Sequence, residues 1–156
     1  PEEIYYRPQT RFVADFVGDI NLIPATVIRG SSDFADLNLL DRYPVRCRLQ
    51  LPLGFEQGQN IYCGIRPENI VITGPGEPHR LLARIQERKF LGSTVRLLLH
   101  VAGTEPPLVI SMMAHPRQVM GLEPGVEIPI GWHEDDLIPL RDEIGSPELT
   151  SGKRAS

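Results

Sequence analysis

No stretch of this sequence approaches the roughly 20 consecutive apolar residues that cross a bilayer as a helix, so no membrane helix is expected. Cysteine is scarce. Cys47 and Cys63 stand far apart, with neither a Cys-x-x-Cys motif nor the set of cysteines that makes a disulfide framework. The chain opens Pro1-Glu2-Glu3 rather than with the basic and then apolar stretch of a secretory leader. The cytoplasm is therefore the default location. Positive charge is not in surplus either: 16 Lys and Arg against 20 Asp and Glu leave a net charge of −4. Neutralised phosphates supply most of a nucleic-acid binder's affinity, so this balance argues against that partner. Aromatic residues make up only 6% of the chain, few for a protein that stacks bases. There is no initiator Met, and the chain is expected to be a piece of something longer.

What is present reads as a globular chain. Its 156 residues are 41% apolar and 23% charged, enough to bury a core without covalent staples. The 14 Gly and 15 Pro point to many turns and short strands. Residues 2–6 fit one helical turn before Pro8. Residues 9–17 fit a short amphipathic helix between Thr10 as N-cap and Gly18 as C-cap residue. Beyond Gly18 the apolar period falls from about 3.6 to 2. Ile23, Ala25 and Val27 alternate with polar or turn-forming neighbours, as do Val45, Cys47, Leu49 and Leu51, and Ile61, Cys63 and Ile65. Each set predicts a strand with one buried face, and both cysteines fall on buried faces as core thiols.

A further short strand is expected over residues 69–73, before the Gly74-Pro75-Gly76-Glu77-Pro78 break. The alternation resumes with Leu81, Ala83 and Ile85, then Val95, Leu97, Leu99 and Val101, with Gly92-Ser93 as a tight connection. Residues 108–114 are apolar on both faces, which suggests a central or interface strand. Val126, Ile128, Ile130 and Trp132 alternate around Pro129, whose missing N–H places that strand at an edge or bulge. Residues 137–140 form a last strand, and residues 142–156 read as a mobile tail. The fold class is all-β, a small barrel or sandwich. It divides into residues 1–21 as a junction with a short helix and 22–141 as the β domain. Sub-barrels over about 22–73 and 80–141 are expected within that domain.

A search for chemistry finds little. There is no Gly-x-x-x-x-Gly-Lys-Ser/Thr phosphate loop and no His-Glu-x-x-His motif. His79, His100, His115 and His133 are dispersed, whereas zinc needs clustered donors. The run His133-Glu134-Asp135-Asp136 reads as a solvated turn rather than a metal loop. Ser93 and Ser111 lack a nucleophile-elbow setting. Arg84, Arg88, Lys89 and Arg96 form a basic cluster near Phe90, read as a charge-mixed strand face with Glu87.

Several segments, in order, resemble one family. Pro1-Glu2-Glu3-Ile4-Tyr5-Tyr6-Arg7-Pro8 and Arg11-Phe12-Val13-Ala14-Asp15-Phe16-Val17-Gly18-Asp19-Ile20-Asn21 resemble the junction after the nucleotide-binding domain of ABC importer ATPases. The branch resembled handles maltose, polyamines, ferric iron and sulfate. Gly64-Ile65-Arg66-Pro67-Glu68-Asn69-Ile70 is similar to its Arg-Pro-Glu motif, Phe90-Leu91-Gly92-Ser93 to its Leu-Gly step, and Gly131-Trp132-His133 to its final strand. The resemblance spans about residues 1–140. It identifies the chain as a C-terminal TOBE, or transport-associated OB, domain without the nucleotide-binding domain.

That resemblance implies an OB-like barrel with a second β segment. It also implies no catalytic, cofactor or metal residues in this piece, with ATP and Mg held in the nucleotide-binding domain. The implied partners are a second copy of the chain, the nucleotide-binding domain and the permease subunits, with no nucleic acid. The chain would then sit in the cytoplasm, peripheral to the inner membrane. Candidate subunit-interface residues are Arg66, Glu68, Leu108, Ile110, Met112 and Met113. Arg66-Pro67-Glu68 also reads as a rigid turn, and the 108–113 strand as doubly buried. Polyamine- or ferric-type uptake is the expected parent function. The alternatives are an oxyanion-binding module of the same superfamily and an OB-type binder of single-stranded nucleic acid.

Overall fold

The computed structural model describes residues 19–49, 54–74, 76–77, 81–104 and 106–141. The helix expected at 9–17, the turn at 2–6, Leu51, His79 and the tail at 142–156 lie outside them. The described residues form two antiparallel five-stranded sheets, the all-β, OB-like class expected.

The first sheet runs in the order β10-β4-β1-β2-β3, from β1 (Asn21–Gly30), β2 (Phe34–Leu39), β3 (Tyr43–Arg48), β4 (Asn60–Ile65) and β10 (Ile138–Arg141). Its buried face is built by alternation: Ile23, Ala25 and Val27 on β1, Ala35, Leu37 and Leu39 on β2, and Ile61, Cys63 and Ile65 on β4. Cys47 on β3 and Cys63 on β4 are both fully buried on this face. Burial first, and the Cys47 thiol second, push the Cys63 thiol well above its ordinary range.

β2 was not apparent from its sequence, because Asp36 and Asn38 disfavour a strand. They occupy its outward face. Asp36 pairs there with Arg46 at 2.7 Å and Arg29 at 2.8 Å. The hydrogen bond from Arg46, and then that from Arg29, lower the Asp36 carboxyl to about 2. A depressed carboxylate pKa means stability that is present above the unfolded value and lost as pH falls through the folded one. Urea titrations should therefore show Asp36→Asn less stable than the parent by up to about 1 kcal/mol above pH ~4, as befits a surface ion pair. The two curves should converge as pH falls towards 2. The hairpin after β2 turns on Leu40 and Asp41, at φ 53° and 59°, without the Asn-Gly signal such turns favour.

The second sheet runs β5-β9-β6-β7-β8, from β5 (Val71–Ile72), β6 (Leu81–Leu91), β7 (Thr94–His100), β8 (Leu108–Met113) and β9 (Glu127–Gly131). A short helix, α1 (Pro116–Val119), follows β8, and a 3-10 turn, Pro67–Asn69, precedes β5. Its core holds Leu81, Ala83, Ile85, Leu97, Leu99, Ile110 and Ile130.

By compactness the chain has two units. One holds Arg66–His133, and the other holds the described residues up to Ile65 and from Glu134 onward. The boundary thus falls before the Arg-Pro-Glu turn rather than at the Gly74 break. The pairing explains why: β5 joins β9 in the second unit, while β10 joins β4 in the first.

β9 lies between β5 and β6, so the expected edge position for Pro129 is corrected. Thr73 N–H donates to the Pro129 carbonyl at 3.0 Å. Pro129 has no N–H to return, and the pairing with β5 ends after two residues. Among the described strands, β8 (Leu108–Met113) likewise lies at the end of its sheet order beside β7 rather than at its centre.

Candidate interaction groove of the second unit

Among the described residues the second sheet ends at β5 on one side and β8 on the other. Both line one groove of about 650 Å³, within the roughly 300–1,000 Å³ range of ligand pockets. Ile70, Ile110 and Leu122 give it a buried apolar floor. Thr94, Ser111 and Gln118 add polar groups. Glu68, in the turn Pro67–Asn69 that packs against β8, is the one charged residue among those described that line it. Thr73 also lines it, and its buried Oγ1 has no hydrogen-bond partner among the described residues.

Of the six candidate interface residues, Glu68, Ile110, Met112 and Met113 meet at this groove; Arg66 and Leu108 are not among its lining. Leu108 and Ile110 are each 1% exposed. Their side chains serve the unit's own core, Ile110 reaching the groove only as its buried floor, because alternation on β8 turns them inward. Met112 is half-buried and Met113 exposed. Arg66 is extended, and its carbonyl accepts from Asn69 N–H at 3.0 Å, closing the turn that the Arg-Pro-Glu sequence predicts. Sequence reading missed the contributions of Val71, Thr73, Gln118 and Leu122. Only the β5–β8 juxtaposition reveals them, and no local signal encodes it.

The basic cluster does not form one face. A register shift between Ile85 and Glu87 sets Arg88 opposite buried Leu97, on the inner side of β6. Arg88 there donates to the Leu122 carbonyl and to Glu123, both at 3.0 Å. Arg84 donates to the Gly125 carbonyl, and Lys89 pairs with Glu87 at 3.5 Å. The acidic run holds Arg48 in the first unit, through Asp135 at 3.2 Å and Glu134 at 3.6 Å. Among the described residues no three His, Cys, Asp or Glu side chains converge as metal ligands. No described helix is long and apolar enough to cross a membrane.

The hairpin joining β6 to β7 carries the other exposed apolar surface. Phe90 and Leu91 are 57% and 51% exposed beside Gly92, whose φ of 70° makes the tight turn. Leu91 stands opposite Thr94, and Thr94 opposite Met113, so an apolar stripe extends from the tip to β8.

These features define an OB-like all-β module. A TOBE domain profile matches residues 63–140, half of the chain and all of the groove. The chain belongs to the TOBE domain family. It is 28% identical over 127 residues to the spermidine/putrescine import ATP-binding protein PotA of Roseobacter denitrificans, covering 81% of this chain and 34% of that protein. It is 33% identical over 134 residues to the sulfate/thiosulfate import ATP-binding protein CysA 2 of Chromobacterium violaceum, covering 83% of this chain and 34% of that one. The chain therefore spans about a third of the length of these relatives. Among solved structures, the cytoplasmic molybdate-binding protein ModG with molybdate bound shares the fold. Its TM-score is 0.58 at 14% identity, over 76% of this chain and 94% of that one.

Proposed function

We propose that the chain is the regulatory and dimerisation domain of the ATP-binding subunit of an ABC importer, and that the imported solute is a polyamine. The observation that carries this reading is the family match over residues 63–140. Relatives named as import ATP-binding proteins align along four-fifths of the chain, several of them named for spermidine and putrescine. In this reading the domain performs no catalysis. ATP and Mg belong to a nucleotide-binding domain, which with the permease subunits and a second copy of the chain makes up its partners. The complex holds it in the cytoplasm at the inner membrane. The contact between copies runs through the exposed tip residues Phe90 and Leu91 and the adjoining Met113, since Leu108 and Ile110 are buried.

The test is to put this chain in place of the matching third of the Roseobacter denitrificans subunit. Spermidine uptake coupled to ATP hydrolysis is expected to persist, and the purified chain alone is expected to hydrolyse no ATP. Turnover by the chain alone would falsify the reading. An oxyanion in the groove is disfavoured by Glu68, the one charge among its described lining residues. A ligand bound only by the folded state raises thermal stability, so millimolar molybdate is expected to leave the melting midpoint unchanged.

A further inference from the structure

We infer that a pit in the first unit, between the β2–β3 turn and the outer side of β1 and β4, binds a primary alkylammonium group. Three oxygen-bearing side chains from three elements meet there. Thr26 on β1 stands opposite Asn60 at the start of β4. Its hydroxyl lies 3.4 Å from Asn60 Oδ1 and 3.5 Å from Asp41 Oδ1. A hydroxyl has one proton and serves one acceptor at a time. Well-formed O–H···O bonds are about 2.5–3.0 Å long, so this one holds neither oxygen closely. Among the described residues no other side chain engages the Asp41 carboxylate. Acceptors are thus in excess: a carboxylate, an amide oxygen and a hydroxyl share a single proton.

The backbone is bent to bring the carboxylate to this place. Leu40 and Asp41 both take left-handed φ, 53° and 59°, a region that few residues other than Gly adopt and that Asp enters more readily than Leu. Leu40 N–H donates to the Pro24 carbonyl at 2.9 Å, which pins the turn beside β1. The pit encloses about 170 Å³, and Pro24, Leu40 and Tyr62 help to wall it. An alkylammonium matches each of these features. Its three N–H donors meet three acceptors. Its charge meets Asp41, the one charged residue among the described lining. Its first methylenes lie along Pro24 and Leu40, as a lysine stem lies along apolar surface. Calcium takes about six to eight oxygens, more than these side chains supply, and an anion meets Asp41 unfavourably.

This inference rests on neither the importer assignment nor the contact between copies. The test titrates the 156-residue chain with n-butylammonium and, separately, with Nα-acetyl-lysine amide, at constant ionic strength and followed by NMR. The first probe is a free amine and the second presents a protein side chain. Saturable shifts of the Thr26, Asp41 and Asn60 amides are expected, with a Kd on the order of millimolar for ligands of so few atoms. Binding of both supports a site open to a partner's lysine as well as to free amines, and binding of one alone assigns the site to that source. Asp41→Asn keeps a residue that enters the left-handed region and should weaken binding at least about tenfold, the worth of a hydrogen bond to a charged group. Asn60→Asp adds a second carboxylate and should tighten it. n-Butyltrimethylammonium has the same charge and no N–H, and should bind at least about tenfold more weakly. The proposal is overturned if neither amine shifts these amides at about 100 mM, or if the trimethyl compound binds as tightly as butylammonium. It is equally overturned if Asp41→Asn changes nothing, or if calcium chloride shifts the same amides at lower concentration, which makes a metal ion the ligand.

Discussion

Ile110→Ala is expected to destabilise the chain by about 3 kcal/mol, the usual range for a large-to-small change in a packed core being about 2–5 kcal/mol. Ile110 is 1% exposed and stands opposite Leu97, which is fully buried. Removing its outer carbons leaves a cavity in the second unit, whose close-packed neighbours relax only in part. The loss, read from the urea midpoint, should be independent of protein concentration. Met113→Ala, three positions beyond Ile110 and 57% exposed, should change stability by no more than about 0.5 kcal/mol. If β8 were instead an intersubunit strand with its apolar residues facing a partner, both losses would be similar and both would grow on dilution.

The second large effect has a sign that local propensity gets wrong. Gly64 sits inside β4, between β1 and β10, where glycine is a poor strand residue and valine a good one. A Cβ at this position would lie 2.6 Å from Ile20 Cδ1 and 3.0 Å from Leu140 Cδ1. The close approach of those side chains to the backbone requires the absence of a side chain here. Gly64→Ala asks Ile20 to swing its terminal methyl aside and should cost about 1 kcal/mol. Gly64→Val forces a larger repacking and should cost about 3 kcal/mol, the upper end for overpacking. Equal or greater stability for Gly64→Val in urea melts would contradict the packing described.

Much of the architecture is legible in period-2 alternation, because β1, β6 and β7 each bury one face more deeply than the other, while β4 departs from it at Gly64, which Ile20 and Leu140 cover. Where the reading fails, tertiary structure outweighs a local rule. Asp36 sits comfortably in β2 because Arg29 and Arg46 flank it from neighbouring strands, and the following turn uses Leu40 and Asp41 where a glycine would have announced it. Pro129 lies within the sheet because its neighbour β5 is only two residues long. The groove is the least legible feature. Glu68, Thr73 and Ser111 come from three segments, and only the tertiary fold of the second unit brings them to one place. The interface expectation for Leu108, Ile110, Met112 and Met113 rests on hydrophobicity along one strand, and that for Arg66 and Glu68 on the Arg-Pro-Glu motif. Hydrophobicity alone does not distinguish residues facing a core from residues facing a partner.

A docking role rests on apolar surface being available to another copy, and sedimentation equilibrium of the intact chain examines that most directly. A reversible monomer–dimer equilibrium is expected, abolished by the Phe90→Asp, Leu91→Asp double substitution without loss of folded structure. A chain that remains monomeric at about 0.5 mM, where even an association of about 4–5 kcal/mol would be visible, or that dimerises equally well with both aspartates in place, would contradict it.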